Sequence, residues 1–318
     1  MTDNGLVPPY DWRPDTELPG FVARTLQFPP DYDGEVTSTL VRPEHPVSTP
    51  KGAVLTLHGF IDYFFQAHVA DAFNARGYDF YALDLRKYGR SLPARHPNFC
   101  KDFHEYCADI SAALEIIAAE GHARVVLLAH STGALAALLY AREGEHRERI
   151  SRIILNSPFL AFKEPRWMTR PAAALGRLFP FLPKANPICR WYGASLHQPP
   201  EGRGEWKFNT RLKPLAGFKA YFGWIRAVVA AHDRIAAGLG LTLPILVLHS
   251  DRSLECDGWR EEFHRADMVL SVADMARLGP KLGSQVSVVE IPGGKHDLAL
   301  SQPEVRAKAL TAMLASLP

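Results

Sequence analysis

A chain of 318 residues, 47% apolar and 22% charged, is an ordinary globular composition, long enough for one large α/β core with an insertion. No run of about 18 apolar residues is present, which excludes a helical membrane span, and the polar, proline- and acid-rich opening lacks the basic-then-apolar pattern of a secretory signal. Cys100, Cys107, Cys189 and Cys256 show no CxxC spacing, so free thiols and a cytoplasmic location are expected.

In chain order, an N-terminal arm to about Pro19 precedes a pair of strands, Phe21 to Phe28 and Glu35 to Arg42, joined through the turn-rich Pro29 to Gly34. Ala53 to Leu57 is a short apolar strand with His58-Gly59-Phe60 at its carboxyl end, and a helix follows through Ala75, ended by Gly77. Asp79 to Leu83 is the next strand. Phe103, Cys107, Ile110, Leu114 and Ile117 recur at helical spacing over about 102–120. Val125 to Leu128 runs into Ala129-His130-Ser131-Thr132-Gly133 and then a helix from Ala134 to Ala141. Ile150 to Leu155 and Pro244 to Leu248 are apolar strands, Val272, Met275 and Ala276 mark a helix, Val286 to Ile291 is the last strand, and a closing helix carries Pro303 in its first turn.

Strand and helix alternate, and the strands are apolar throughout, which predicts a mostly parallel sheet covered on both faces. The rhythm breaks from Pro158 to Gly240, a stretch with nine prolines and four of the six tryptophans. Residues 1–157 and 241–318 are therefore expected to form the core, and 158–240 an inserted helical or irregular cap. The net charge of +2 is unevenly spread: this segment holds 13 basic and 4 acidic residues. Such a field attracts anions, either carboxylate-bearing substrates or an anionic lipid surface, while no nucleic-acid module accompanies it.

Ligands of such sheets bind beyond the carboxyl ends of the strands. Ser131 stands there on a strand–turn–helix bend with small residues two before and two after it, the pattern of a nucleophile elbow, with Ala129 in place of the usual first glycine. The alternative is that Ser131 only caps the following helix. A serine nucleophile needs a base and a group to orient that base, in the chain order Ser, acid, His. His296, in Pro292-Gly293-Gly294-Lys295-His296 after the last strand, is the expected base. Two aspartates compete for the acid: Asp267 is favoured if residues 252–265 form an excursion, and Asp251 is the alternative. The oxyanion of acyl transfer needs preorganised amides, expected from Thr132 and Phe60. His58 is expected to brace its own loop. His58, His130 and His249 all fall at strand ends, but no acidic or cysteine partner is spaced for a metal, so neither metal nor cofactor is expected.

His58-Gly59-Phe60, the Ser131 pentapeptide, Asp267-x-Val-Leu and Pro-Gly-Gly-Lys-His296 together resemble the α/β-hydrolase superfamily, in its monoacylglycerol lipase, lysophospholipase and serine-aminopeptidase-like branch. The stretch Asp84-Leu85-Arg86-Lys87-Tyr88-Gly89-Arg90-Ser91 is similar to a structural motif of that branch, with Lys87 replacing a glycine. The resemblance spans about 50–315 outside the cap and implies the α/β-hydrolase fold, with Ser131 as nucleophile, His296 as base and Asp267 as acid. The expected reaction is hydrolysis of small or lipid-like carboxylic esters. An amidase or aminopeptidase and an acyltransferase are the alternatives on the same fold. A non-catalytic binding protein would carry a broken triad. Phe60, Phe64, Phe65, Phe159, Phe162, Trp167, Tyr221, Phe222 and Trp224 are candidates to line an acyl pocket, though most are expected simply to pack the cap.

Overall fold

The computed structural model describes residues 12–93, 95–184 and 190–318. In chain order its strands are β1 (Arg13–Pro14), β2 (Phe21–Asp31), β3 (Gly34–Pro43), β4 (Gly52–Leu57), β5 (Tyr78–Asp84), β6 (Val125–His130), β7 (Ile150–Asn156), β8 (Pro183–Lys184), β9 (Ala220–Tyr221), β10 (Ile245–Ser250) and β11 (Val286–Ile291). Its α-helices are α1 (Ala67–Asn74), α2 (Tyr106–Ala119), α3 (Gly133–Glu143), α4 (Arg166–Leu178), α5 (Arg190–Leu196), α6 (Phe222–Ala236), α7 (Val272–Leu278) and α8 (Pro303–Ala315). Among the described residues, nine strands form one sheet in the order β1-β2-β3-β5-β4-β6-β7-β10-β11, and β8 with β9 forms a separate ribbon. The six strands from β5 to β11 in that order run parallel. The first three pair antiparallel at one edge.

Alternate residues of each central strand enter opposite cores. Leu55, Leu57, Leu127, Ile153 and Val247 meet Ile110 and Leu114 of α2 and Leu135 of α3. Val54, Val126, Leu128, Ile154 and Leu246 meet Val69 and Phe73 of α1 and Met313 of α8. Burial on both faces is why these strands read as continuous apolar runs. The expected α/β architecture is the observed one.

Between β7 and β10 the chain leaves the sheet and builds α4, α5, α6 and the small ribbon. Tyr192 and Leu196 of α5 join Tyr63, Phe65, Phe208, Phe263 and Met268 in a third apolar cluster at the carboxyl edge of the sheet. Trp167 is 74% exposed and so is not a pocket-lining residue. Phe64 belongs to the core below the sheet, against Phe21 and Phe80.

Lys87 stands at φ +67°, a conformation that favours glycine. Its buried ammonium lies 2.8 Å from Asp31 and 4.2 Å from the centre of the Tyr32 ring, contacts a glycine could not make. The free-thiol expectation is corrected in one place. Cys100 and Cys107 are free, but Cys256 is disulfide-bonded, and Cys189 lies outside the described residues. The cytoplasmic expectation rested on free thiols and loses that support. Among the described residues no helix is long and apolar enough to cross a membrane.

Candidate active site

Ser131 follows the last residue of β6 and takes φ +52°, a strained left-handed conformation for a residue with a Cβ. Its amide donates to the Asn156 carbonyl at 3.1 Å, and its own carbonyl accepts from Ala134 and Phe159, each at 3.1 Å. These bonds tie the bend to β7 and to the segment beyond it. Small neighbours are a packing requirement here. A Cβ on Gly133 would lie 2.4 Å from the His58 carbonyl, and one on Gly59 would lie 3.1 Å from Ser131 Cβ. Ala129, where a glycine is usual, is fully buried, so its methyl is accommodated. Ser131 does not cap α3 with its side chain; Thr132 is the capping position, and it makes no side-chain cap bond.

The Ser131 hydroxyl lies 3.0 Å from His296 Nε2. His296 Nδ1 lies 2.8 Å from Asp267 Oδ2. Because a carboxylate only accepts, Nδ1 carries the proton in that bond and leaves Nε2 free to accept from the serine. Gly293, at φ +75°, allows the turn after β11 that brings the imidazole over the bend.

Asp267 is fully buried, and its other oxygen accepts from the amides of Val269 and Leu270, each at 2.8 Å. Burial works against its ionised form, but His296 and those two amides outweigh it and hold the carboxyl below its ordinary range. The excursion that delivers it is visible in the backbone. Asp267 N donates to the Arg252 carbonyl at 3.0 Å, and Leu254 N to the Asp267 carbonyl at 2.9 Å. The chain thus returns to the end of β10 after the loop. Asp251 is exposed and accepts from the Gly293 amide at 2.8 Å, fastening β10 to the histidine loop instead of touching the imidazole. It does not pair with Arg252, whose Nε donates to the Arg265 carbonyl.

Thr132 follows the serine directly, and Phe60 follows Gly59, which packs against Ser131; among the described residues neither the Phe60 nor the Thr132 amide has an acceptor. The Phe60 ring stacks on Trp224 of α6 with centroids 4.0 Å apart. His58 braces its loop: Nδ1 donates to the Gly59 carbonyl at 2.8 Å, and Nε2 accepts from the Leu85 amide at 3.0 Å.

One group beside the serine escapes a reading by spacing. His130, Asp62 and Asp297 are buried together, with ligand-type atoms within 4.8 Å of one another. The expectation that no acid accompanies His130 is therefore wrong in space. The cation among these groups is Lys213, whose Nζ donates to Asp62 Oδ1 at 2.5 Å. Asp297 accepts from Asn156 Nδ2 at 2.7 Å and from the Ala299 amide at 3.0 Å. With His130, Asn156 and Lys213 offsetting its burial, its carboxyl stays below the ordinary range, while burial pushes the His130 imidazole down. Two signals were available: Asp297 follows His296 directly, and His130 has the strand parity of Val126 and Leu128, so it faces the same side of the sheet. Lys213, from the distant insertion, had none.

A doubly covered parallel sheet with a serine raised on a strained bend, facing a histidine from beyond the last strand, belongs to the α/β hydrolases, and this chain is one of them. Within that class, the profile of the family described as "Serine aminopeptidase, S33" matches residues 48–301, so the chain belongs to that family. It is 25% identical over 273 residues to a monoacylglycerol lipase of Mycolicibacterium smegmatis, covering 81% of this chain and 85% of the relative. A monoglyceride lipase of Saccharomyces cerevisiae is 26% identical over 184 residues, and that match spans 56% of each chain, about half the yeast protein's length. The solved structure of a monoacylglycerol lipase from Paleococcus ferrophilus shares the fold, with a TM-score of 0.65 at 20% identity over 92% of this chain and 97% of that one.

Proposed function

We propose that this chain is a serine hydrolase that cleaves carboxylic esters, lipid-like or simple aryl and alkyl, through an acyl-enzyme. The 3.0 Å contact between Ser131 Oγ and His296 Nε2 carries the reading. Ser131 attacks the ester carbonyl carbon while His296 takes its proton, and Asp267 stabilises the resulting imidazolium. The carbonyl oxygen becomes negative and accepts from the amides of Phe60 and Thr132, each worth about 3 kcal/mol in such sites. Collapse breaks the bond to the alcohol oxygen, which leaves with the proton from His296. Water then repeats the cycle and releases the acid. The chemistry calls on no metal or cofactor.

Residues 158–240 act in this reading as a cap over the core formed by 1–157 and 241–318. The relatives named as monoacylglycerol lipases support a lipid-like ester as substrate. So does α4, which exposes Trp167 (74%), Leu178 (73%) and nearby Phe179 (57%) beside Arg166, Arg170 and Arg177, a composition suited to weak contact with an anionic lipid surface. An aminopeptidase needs carboxylates to hold a substrate amine. The cap's Asp233 and Glu205 are engaged by Arg170 and Arg306, Glu201 lies near His197, and Glu164 is exposed.

The test is turnover over a panel of p-nitrophenyl esters, thioesters and amides by wild type and Ser131→Ala. Ester turnover lost by orders of magnitude in the variant is expected. Ester turnover retained in the variant, or amides preferred by the wild type, would refute the reading.

A further inference from the structure

The loop that supplies Phe60 is held from above. Ile61, the next residue, takes φ +54°, a conformation β-branched residues avoid. A strained backbone of this kind persists only where its surroundings over-determine it. Three neighbouring side chains of the loop are gripped by the insertion. The Phe60 ring stacks on Trp224. Asp62 Oδ1 accepts from Lys213 Nζ at 2.5 Å. Tyr63 Oη accepts from the Asn209 amide at 2.8 Å, and Lys213 N donates to the Asn209 carbonyl at 3.0 Å, so both grips come from one turn. The core adds its own hold: Asp62 also accepts from the Tyr63 amide, and Arg90 lies over the Tyr63 ring.

Lys213 is an unusual residue to find there. It is 4% exposed, and the rings of Phe65, Tyr192 and Phe208 lie 5.5–5.8 Å from its Nζ. A buried ammonium is costly unless paired, and a buried pair is poor at adding stability compared with apolar packing. What this pair adds is position: it fixes a carboxylate two residues from the Phe60 amide.

We propose that Lys213 is a positioning residue for the reaction, acting through Asp62 to set the Phe60 amide, so that this half of the oxyanion site is assembled only while the cap is seated. The inference rests on the serine-hydrolase reading and adds a link between cap and chemistry. A group that sets an oxyanion donor affects the tetrahedral state and leaves ground-state binding nearly alone.

The experiment measures kcat and KM on a p-nitrophenyl ester, and the inhibition constant of a trifluoromethyl ketone that forms a tetrahedral adduct, for wild type, Asp62→Asn and Lys213→Met. Circular dichroism and thermal melts report folding. The expected result is a kcat lowered about 10- to 100-fold, a parallel loss of ketone affinity, and a KM within about threefold. If Lys213→Met does not fold, Asp62→Asn, which keeps the shape and an acceptor oxygen, decides by the same readouts. Folded variants with kcat and ketone affinity within about twofold of wild type overturn the inference, as does a fall in kcat without the matching fall in ketone affinity. A wild type that turns over no ester overturns the hydrolase reading and this inference with it. An active wild type with unaltered variants overturns the inference alone.

Discussion

Asp267 and Asp251 sit beside the same strand end, and burial separates their chemistry. Asp267 has no exposed surface, and its two oxygens share one imidazole and two amides. Asp251 is exposed and holds a loop amide. Replacing Asp267 by Asn would present a donor where His296 Nδ1 needs an acceptor and turn the imidazole to the wrong tautomer. A loss of about 10⁴ in kcat is expected, by analogy with the Asp-to-Asn change in serine-protease triads. Asp251→Asn keeps an acceptor for Gly293 and should stay within a few-fold. Steady-state kinetics on one ester settle the comparison; equal losses would count against the assignment of Asp267 as the acid. Spacing in the sequence could rank the two aspartates but not decide between them. The decision lies in the pairing of residues 252–254 with Asp267, a contact across a loop that leaves no periodic trace. The same limit hid Lys213, whose partner Asp62 is 151 residues away.

At the scale of elements, the bend is a packing solution as much as a chemical one. β6, the loop after β4 and the start of α3 converge, and Gly133 is where they leave no room. An added methyl would meet the carbonyls of His58 at 2.4 Å and Leu57 at 2.7 Å, backbone atoms that cannot swing aside. Gly133→Ala should cost about 1–3 kcal/mol of stability, read as a lower midpoint in urea unfolding. It should also lower ester turnover, since the displaced loop carries Phe60. An unchanged midpoint would mean that α3 starts elsewhere. Here the sequence was most legible: strand, bend and helix were each marked by composition, because burial on both faces leaves continuous apolar runs and tight bends demand small residues. The insertion was less legible. Its prolines and tryptophans announced a departure from the sheet, but not which aromatics are buried, like Trp224, and which, like Trp167, face outward.

Across the whole molecule, stability responds to acid through imidazoles that burial keeps neutral. His232 of α6 donates from Nε2 to the Phe159 carbonyl at 2.8 Å, just beyond the elbow strand's neighbour β7. Burial, partly countered by that bond, lowers its pKa to about 4, against an ordinary value near 6.5. The unfolded chain therefore takes up this proton below about pH 6.5, while the folded one refuses it until about pH 4. Stability supported by neutral His232 is complete above that window and drains away as pH falls through it, by about 2 kcal/mol between pH 7 and pH 5. His68, His130 and His264 are lowered by burial too and act in the same direction. Asp267 and Asp297, held below the carboxylate range, surrender their contributions only in stronger acid. Thermal melts at pH 7 and pH 5 should show a lower midpoint at pH 5, with the difference reduced in His232→Gln. An identical difference in the variant would remove His232 from the account.

The most direct measurement is covalent. A fluorophosphonate, followed by peptide mass spectrometry, reports whether one hydroxyl is activated by its neighbours. A single adduct on Ser131 is predicted, absent from Ser131→Ala and formed far more slowly in His296→Gln. Labelling that ignores both substitutions, or a wild type left unmodified, would contradict the proposal that this serine is a nucleophile with that histidine as its base.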